Sequence, residues 1–204
     1  MSATPNKNLL LESIKIDEGK VHNLSYHQAR CDHSRKSLFK SYTPLQLSEI
    51  IKPPPQGLYK CRILYADRLH SIEYIPYKEK EIHSLKIISS RIDYDFKYAH
   101  REALSTLLNK LPYTDEIIIE KNGYLTDTTI SNIAFFDANH WITPKSPLLK
   151  GTMRQKLLDD GFLVTKDIKR SDIKDFSQVA LINAMIGFKI LKDIDPKDLE
   201  GIGL

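Results

Sequence analysis

The feature that most constrains the fold is a series of short apolar runs in the second half of the chain, separated by turn-forming residues. The runs predicted to be strands are 116–120, 131–137, 140–143, 162–166 and 179–183. Asn122-Gly123 and Ala138-Asn139 supply turns, and a helix over 152–160 is expected to end at Gly161. Many short strands with one helix favour a barrel-like half.

The first half favours a mixture of helices and strands. The predicted elements are a hairpin of 9–16 and 21–24, a helix over 25–39, a shorter helix opened by Thr43-Pro44, and an antiparallel sheet of 58–66, 70–76 and 85–89. Ser25 and Gln28 have the spacing of a capping box for the first helix. A crossing at 89–95 and a helix over 98–111 lead into the second half. We therefore expect an α+β chain with domains at residues 1–90 and 91–204.

Composition excludes several classes of protein. The 30 basic and 26 acidic residues are spread along the 204-residue chain, so the net charge of +4 forms no stripe for nucleic acid. No apolar run is long enough to span a membrane or to form a signal peptide core. Cys31 and Cys61 have no metal-binding spacing, and a chain without disulfide staples fits a reducing, cytoplasmic compartment.

Two charged residues are candidates for chemistry. Lys97 follows Asp95-Phe96 at the expected start of a helix, where an ammonium opposes the helix dipole unless an anion or a carbonyl compound lies nearby. Asp127 follows the turn glycine Gly123 within Thr126-Asp-Thr-Thr129. Taken singly, Lys97 is more simply an exposed lysine, and Asp127 a residue that caps a turn.

Two further segments offer backbone donors. Gly151-Thr-Met-Arg154 begins the helix predicted over 152–160, and Asn183 follows an apolar strand. A helix start binds phosphate through free amides and the positive end of the helix dipole. A lysine, a carboxylate and two such turns, in this order, are what pyridoxal phosphate requires: a Schiff-base partner, an acid for the ring nitrogen and a phosphate cradle.

The same residues resemble the class IV aminotransferases, pyridoxal phosphate enzymes of fold type IV. The resemblance covers about Asp93 to Phe188 and rests on Lys97-Tyr98, Asp115-Glu116, Asn122-Gly123, Asp127, Asn132, Thr143-Pro144, Gly151-Thr-Met-Arg154 and Asn183-Ala184. In the first half, Leu11-Glu-Ser-Ile14 and His27-Gln-Ala-Arg30 resemble the family's first strand and the helix motif that carries a phosphate-binding arginine.

The resemblance implies a role for each matched residue. Lys97 would be the catalytic Schiff-base lysine, and the cofactor-binding residues would be Arg30, Asp127, Ser131, Asn132, Thr152, Met153, Asn183 and Ala184. It further implies a homodimer acting on a small-molecule amine, with no metal.

Two departures from the family concern the site and the substrate. The ring-nitrogen acid is usually glutamate but is Asp127 here, shorter by one bond of about 1.5 Å. The first half is also shorter than in typical members, and it helps to shape the substrate pocket. Gly151-Thr-Met-Arg-Gln155 and Ile182-Asn-Ala-Met185 resemble the 4-amino-4-deoxychorismate lyases, which serve folate synthesis. An amino acid aminotransferase of branched-chain or D-amino-acid type and a non-catalytic binding relative remain alternatives.

Overall fold

The computed structural model describes residues 9–41, 43–199 and 201–202, with only the backbone of Ile202. These residues form two compact units. The first contains the chain up to Lys78 and the segment Phe96–Arg101, and the second contains Glu79–Asp95 and the chain from Glu102 onward. The expected boundary at 90/91 differs from this division, because residues 79–90 belong to the second unit and the segment that carries Lys97 belongs to the first.

The first unit is a four-stranded antiparallel sheet in the order β2-β1-β3-β4, with two helices. Its elements are β1 (Leu10–Asp17), β2 (Lys20–Val21), α1 (Leu24–Phe39), α2 (Leu47–Ile50), β3 (Leu58–Tyr65) and β4 (Leu69–Pro76). Alternate residues of β1 point to one face, where Leu10, Ile14 and Ile16 are fully buried. They pack with Cys31 of α1 and Leu47 of α2 into one apolar core.

The segment Phe96–Arg101 pairs with the start of β1 through an isolated bridge and two further backbone hydrogen bonds. Tyr98 and Leu10 form an antiparallel bridge, Leu11 N donates to Lys97 O at 2.9 Å, and Ala99 N donates to Leu9 O at 2.8 Å. The helix expected from residue 98 therefore begins only after this pairing ends.

The second unit is built on a larger mixed sheet. Its elements are β5 (Leu85–Ser89), α3 (Glu102–Asn109), β6 (Glu116–Lys121), β7 (Tyr124–Thr128), β8 (Asn132–Phe136), β9 (Trp141–Pro144), α4 (Thr152–Asp159), β10 (Leu163–Lys166), β11 (Gln178–Asn183), β12 (Gly187–Ile190) and β13 (Gly201–Ile202). The strand order is β10-β9-β8-β7-β6-β5-β13, and β11 joins β8 to β12. Short 3₁₀ helices span Arg170–Asp175 and Pro196–Asp198. The expected α+β class is confirmed.

Three local predictions were wrong. β5 pairs in parallel with β6 in the second unit and not with β4, and burial of its Leu85, Ile87 and Ile88 is typical of a strand covered on both faces. α2 starts at Leu47 and not at Thr43-Pro44, because the Gln28 Oε1 atom accepts from Leu47 N at 2.8 Å. The capping box does not form, since Gln28 serves α2 and α1 begins after Asn23 without a side-chain cap.

Candidate active site

Lys97 is held by its backbone, which pairs with β1 of the first unit. The side chain is half-buried. No hydrogen bond or ion pair of its ammonium group occurs among the residues that the structure describes. A half-buried lysine without an anionic partner is costly to keep charged, which is a property of reactive lysines.

The charges around Lys97 add to this effect. Loss of hydration lowers the pKa of Lys97 to about 7, and the positive charges of Arg30, Arg101 and Lys60 act in the same direction. Glu12 opposes them. Because the pKa is close to neutrality, a large fraction of the amine is uncharged and nucleophilic at neutral pH.

Arg30 lies on α1 and forms a double hydrogen bond with Glu12 of β1. Arg30 Nε donates to Glu12 Oε1 at 2.9 Å, and Arg30 Nη2 donates to Glu12 Oε2 at 2.5 Å. Burial would raise the pKa of Glu12, but Arg30 and His27 outweigh it and lower that pKa to about 2. Glu12 is therefore ionised at neutral pH and fixes the plane of the Arg30 guanidinium.

Glu12 and His27 are members of this cluster to which sequence reasoning assigned no role. Both side chains are fully buried, and His27 Nδ1 lies 2.6 Å from Glu12 Oε2. Burial lowers the pKa of His27, so the imidazole is neutral and donates its Nδ1 proton to the carboxylate. One signal was present in the sequence: Glu12 occupies a core-facing position of an otherwise apolar alternation in β1.

Asp127 lies near the end of β7 in the second unit and is buried. Its Oδ1 accepts from Asn132 Nδ2 at 2.7 Å, and its Oδ2 accepts from Leu149 N at 2.8 Å. Burial raises the pKa of Asp127 to about 7, although these two donors and the charge of Arg154 lower it. A carboxylate in this state would ionise fully beside a cation, as it would beside a protonated ring nitrogen.

The start of α4 lies close to Asp127. Gly151 is the residue before the helix, and Thr152 and Met153 are its first two residues. Arg154 is buried, donating from Nη2 to Pro144 O at 2.7 Å and from Nε to Thr143 Oγ1 at 3.2 Å. The motif 151–154 thus forms the helix start that its sequence predicted.

Asn183 ends β11, and its side chain organises the following turn. Its Oδ1 accepts from the backbone N–H groups of Met185 and Ile186 at 2.9 and 3.0 Å. Its Nδ2 donates to Ser131 Oγ at 2.9 Å. Ala184 is half-buried in the same turn. The structure thus brings the 131–132 and 183–184 segments together.

The predicted site residues divide between the two units. Lys97 and Arg30 lie in the first, next to Glu12. The remaining predicted residues lie in the second, namely Asp127, Ser131, Asn132, Thr152, Met153, Asn183 and Ala184. The first set contains the lysine and a guanidinium, and the second contains the carboxylate and the two turns.

Comparison with known proteins assigns the chain to a family. The sequence profile of the family described as Amino-transferase class IV matches residues 79–194. An uncharacterized protein of Haemophilus influenzae is 36% identical over 184 residues, which cover 87% of this chain and 98% of that protein.

Two solved structures are similar to this chain, one in sequence and fold and the other in fold alone. A provisionally assigned 4-amino-4-deoxychorismate lyase of Haemophilus somnus has 35% identity and a TM-score of 0.82, covering 88% of this chain and 97% of that one. A hypothetical aminotransferase of Mycobacterium tuberculosis in its pyridoxal phosphate-bound form has 14% identity and a TM-score of 0.79, covering 97% of this chain and 84% of that one, and shows the shared fold.

The fold and the matched profile define a pyridoxal phosphate-dependent enzyme. The chain belongs to the class IV aminotransferase family. The expected family, enzyme class and cofactor are thereby confirmed.

No helix within 9–41, 43–199 or 201–202 is long and apolar enough to cross a membrane. In the same parts of the chain, no cluster of three or more histidine, cysteine or acidic residues could hold a metal ion.

Proposed function

We propose that the protein is a pyridoxal phosphate-dependent lyase of the 4-amino-4-deoxychorismate lyase type, which forms 4-aminobenzoate and pyruvate. The state of Lys97 supports a catalytic role: its amine is half-buried, has a pKa of about 7, and has no hydrogen-bond or ion-pair partner among the described residues. The lyase assignment is supported by the Haemophilus somnus relative, which is 35% identical over most of both chains.

The residues present fit the cofactor. Lys97 would carry it covalently, and Asp127 would bind its ring nitrogen. Arg30 and the turns at Gly151 and Asn183 would hold its phosphate, with Ser131, Asn132, Thr152, Met153 and Ala184 around it. The fit rests on two groups whose charged forms burial disfavours: the Lys97 amine, with its lowered pKa, and the Asp127 carboxylate, with its raised pKa. A bound cationic ring would add to the positive charge of Arg154 and favour the ionised form of Asp127.

The chemistry follows from the roles proposed for these groups. When bound, the cofactor supplies a cationic ring that accepts the electron pair released from the substrate. Lys97, in its neutral form, takes the proton from the amine-bearing carbon of the substrate ring. The C–O bond to the neighbouring enolpyruvyl group then breaks, the ring becomes aromatic, and the enolpyruvate that leaves takes up one proton to become pyruvate. Asp127 stays ionised throughout and stabilises the positive charge on the ring.

An amino acid aminotransferase is the alternative, and the family to which the chain belongs favours it. Here Lys97 would return the proton at a different carbon, and the product would be a keto acid. Such an enzyme needs an amino acceptor to turn over. A non-catalytic binding relative is a third reading, supported by the unusual Asp127 and the short first half.

Product analysis separates these functions. The purified protein, saturated with pyridoxal phosphate, is incubated with aminodeoxychorismate alone and, separately, with amino donors and a keto acid acceptor. The lyase proposal expects 4-aminobenzoate and pyruvate in equal amounts without an acceptor, and neither product with Lys97→Met. Formation of a keto acid only when an acceptor is present would contradict the lyase proposal and show that the protein is an aminotransferase. Absence of both activities despite bound cofactor would favour the binding relative.

We also infer a homodimer, a cytoplasmic location and a role in folate precursor synthesis. The dimer is supported by family resemblance, because sites of this family lie near the subunit boundary. A reducing compartment is supported by Cys31 and Cys61, which are both free thiols in the core of the first unit.

A further inference from the structure

The side chain of Asn132 joins Asp127 to the loop that precedes α4. Asn132 and Asp127 face each other across β7 and β8. The two Asn132 Nδ2 protons go to Asp127 Oδ1 at 2.7 Å and to Leu149 O at 2.8 Å, while Leu149 N donates to Asp127 Oδ2 at 2.8 Å. Each oxygen of the carboxylate therefore accepts a hydrogen bond, and both side chains are buried.

These partners fix the orientation of the Asn132 amide. If its oxygen and nitrogen were exchanged, the oxygen would face the Asp127 carboxylate and the Leu149 carbonyl, which are both acceptors. The Asn132 Oδ1 atom must therefore point the other way. It points at Gly151, the residue before α4: a Cβ atom added to Gly151 would lie 2.0 Å from Asn132 Oδ1 and 3.1 Å from its Cγ.

The backbone of Gly151 does not itself require glycine. Its φ of −68° and ψ of 142° are values that any residue adopts. The close approach of the Asn132 amide is the constraint, since a side chain at position 151 would occupy the same space. The side chain of Asn132 thus couples Gly151, at the start of α4, to Asp127 of β7.

We propose that Asn132 is the positioning residue of Asp127, and that Gly151 is glycine in order to admit it. Asn132 aims the carboxylate and favours its ionised form, so that the group assigned to the ring nitrogen and the helix start assigned to the phosphate share one fixed geometry. The importance of this geometry for cofactor binding rests on the proposed function. The contacts of Asn132 with Asp127 and Gly151 are present without a cofactor. Testing them therefore needs no cofactor and no turnover.

The first test is a titration of Asp127 in the cofactor-free full-length protein, followed by carbon-13 NMR of the carboxyl group. Arg154 is the charged group that acts on Asp127, and it is left intact. Loss of the Asn132 hydrogen bond in Asn132→Leu should raise the Asp127 midpoint by about one pH unit. Asn109→Leu, at an exposed position of α3, is the matched control and should leave it unchanged. An unchanged midpoint in Asn132→Leu would overturn the positioning role.

The second test is a double-mutant cycle on thermal unfolding. Gly151→Ala alone should lower the midpoint of unfolding by about 5 °C, because the new methyl group overlaps the Asn132 amide. In the Asn132→Ala background the same change should have little effect, since the overlapping atoms are gone. An equal loss in both backgrounds would show that Gly151 is constrained by something other than Asn132. Either result is independent of whether the enzyme proves to be a lyase, an aminotransferase or neither.

Discussion

Arg30 binds Glu12 with two nitrogen atoms, Nε at 2.9 Å from Oε1 and Nη2 at 2.5 Å from Oε2. This pairing joins α1 to β1 through a carboxylate that is fully shielded from water. Glu12 is also bound by His27 and acts electrostatically on Lys97. The arginine proposed to bind phosphate is therefore oriented by the same carboxylate that partly offsets the positive charge around the proposed catalytic lysine.

Glu12→Gln should destabilise the protein strongly at neutral pH. The pKa of Glu12 is about 2 in the folded state and 4.5 without its partners. Because the folded-state value is the lower one, the contribution of Glu12 is present above pH 4.5 and is lost as the pH falls from 4.5 toward 2. It amounts to about 3 kcal/mol.

Urea unfolding of the cofactor-free protein at several pH values measures this contribution. The difference between wild type and Glu12→Gln should shrink below pH 4.5. Glu73→Gln, which breaks the exposed pair of Glu73 with Arg62, is the control and should cost less than about 1 kcal/mol. A Glu12→Gln difference that is small, or the same at pH 3 and pH 7, would contradict the assignment of an ionised, paired Glu12.

Lys97 should react as an amine with a pKa near 7. Competitive labelling of the cofactor-free protein by acetic anhydride across pH, quantified by mass spectrometry, gives the midpoint for each lysine. Lys60→Met removes a positive charge that disfavours the Lys97 ammonium, so the Lys97 midpoint should move to higher pH. Lys192→Met, at an exposed position of the second unit, should leave it unchanged. A Lys97 midpoint equal to that of the surface lysines would refute the lowered pKa.

The sequence predicted the elements that depend on local patterns and missed those that depend on distant partners. The strand at 116–121 and the helix at 152–159 follow from apolar runs and a turn glycine, and both form within a residue or two of the expected bounds. The helix expected from residue 98 starts late, because Lys97 and Ala99 pair with β1, about ninety residues earlier in the chain. No local pattern carries that information.

The same division holds for the candidate site. Asp127 and Gly151 could be singled out because turns and helix starts have local signatures. Glu12 could not, since its importance comes from His27 and Arg30, which lie on α1, 15 and 18 residues further along the chain. The role of Asn132 toward Asp127 also needs the strand register that places the two residues opposite each other.

Asp127→Asn should retain the cofactor while losing catalysis. An amide cannot carry the negative charge that would stabilise a protonated ring nitrogen, and a group of this kind commonly contributes about 10² to 10³ in rate. Cofactor absorbance after gel filtration and the turnover number measure the two effects separately. Asp193→Asn, exposed in the second unit, is the control. If turnover is unchanged in Asp127→Asn, Asp127 does not act on the ring nitrogen and has only a structural role.

Asp127→Glu tests whether the site is built around the shorter acid. It restores the residue usual in the family but must fit between the donors Asn132 Nδ2 and Leu149 N, which now bind the aspartate at 2.7 and 2.8 Å. We expect turnover below wild type and above Asp127→Asn. Turnover at or above the wild-type rate would show that the surroundings of Asp127 accommodate either acid.

The active protein should sediment as a homodimer, at twice the 23.5 kDa mass of the chain. The expectation follows from the family resemblance. Sedimentation velocity over a range of concentrations, with turnover measured at the same concentrations, is the appropriate experiment. A monomer that is fully active at every concentration would refute it.

The most direct test of the account is the identity of the lysine that carries the cofactor. The protein is saturated with pyridoxal phosphate, reduced with borohydride and digested, and the peptides are mapped by mass spectrometry. We predict one stable adduct, on the peptide that contains Lys97, and its loss in Lys97→Met, with Lys192→Met as a control that retains it. An adduct on a different lysine, or none despite saturating cofactor, would contradict the assignment of Lys97 and with it the proposed mechanism.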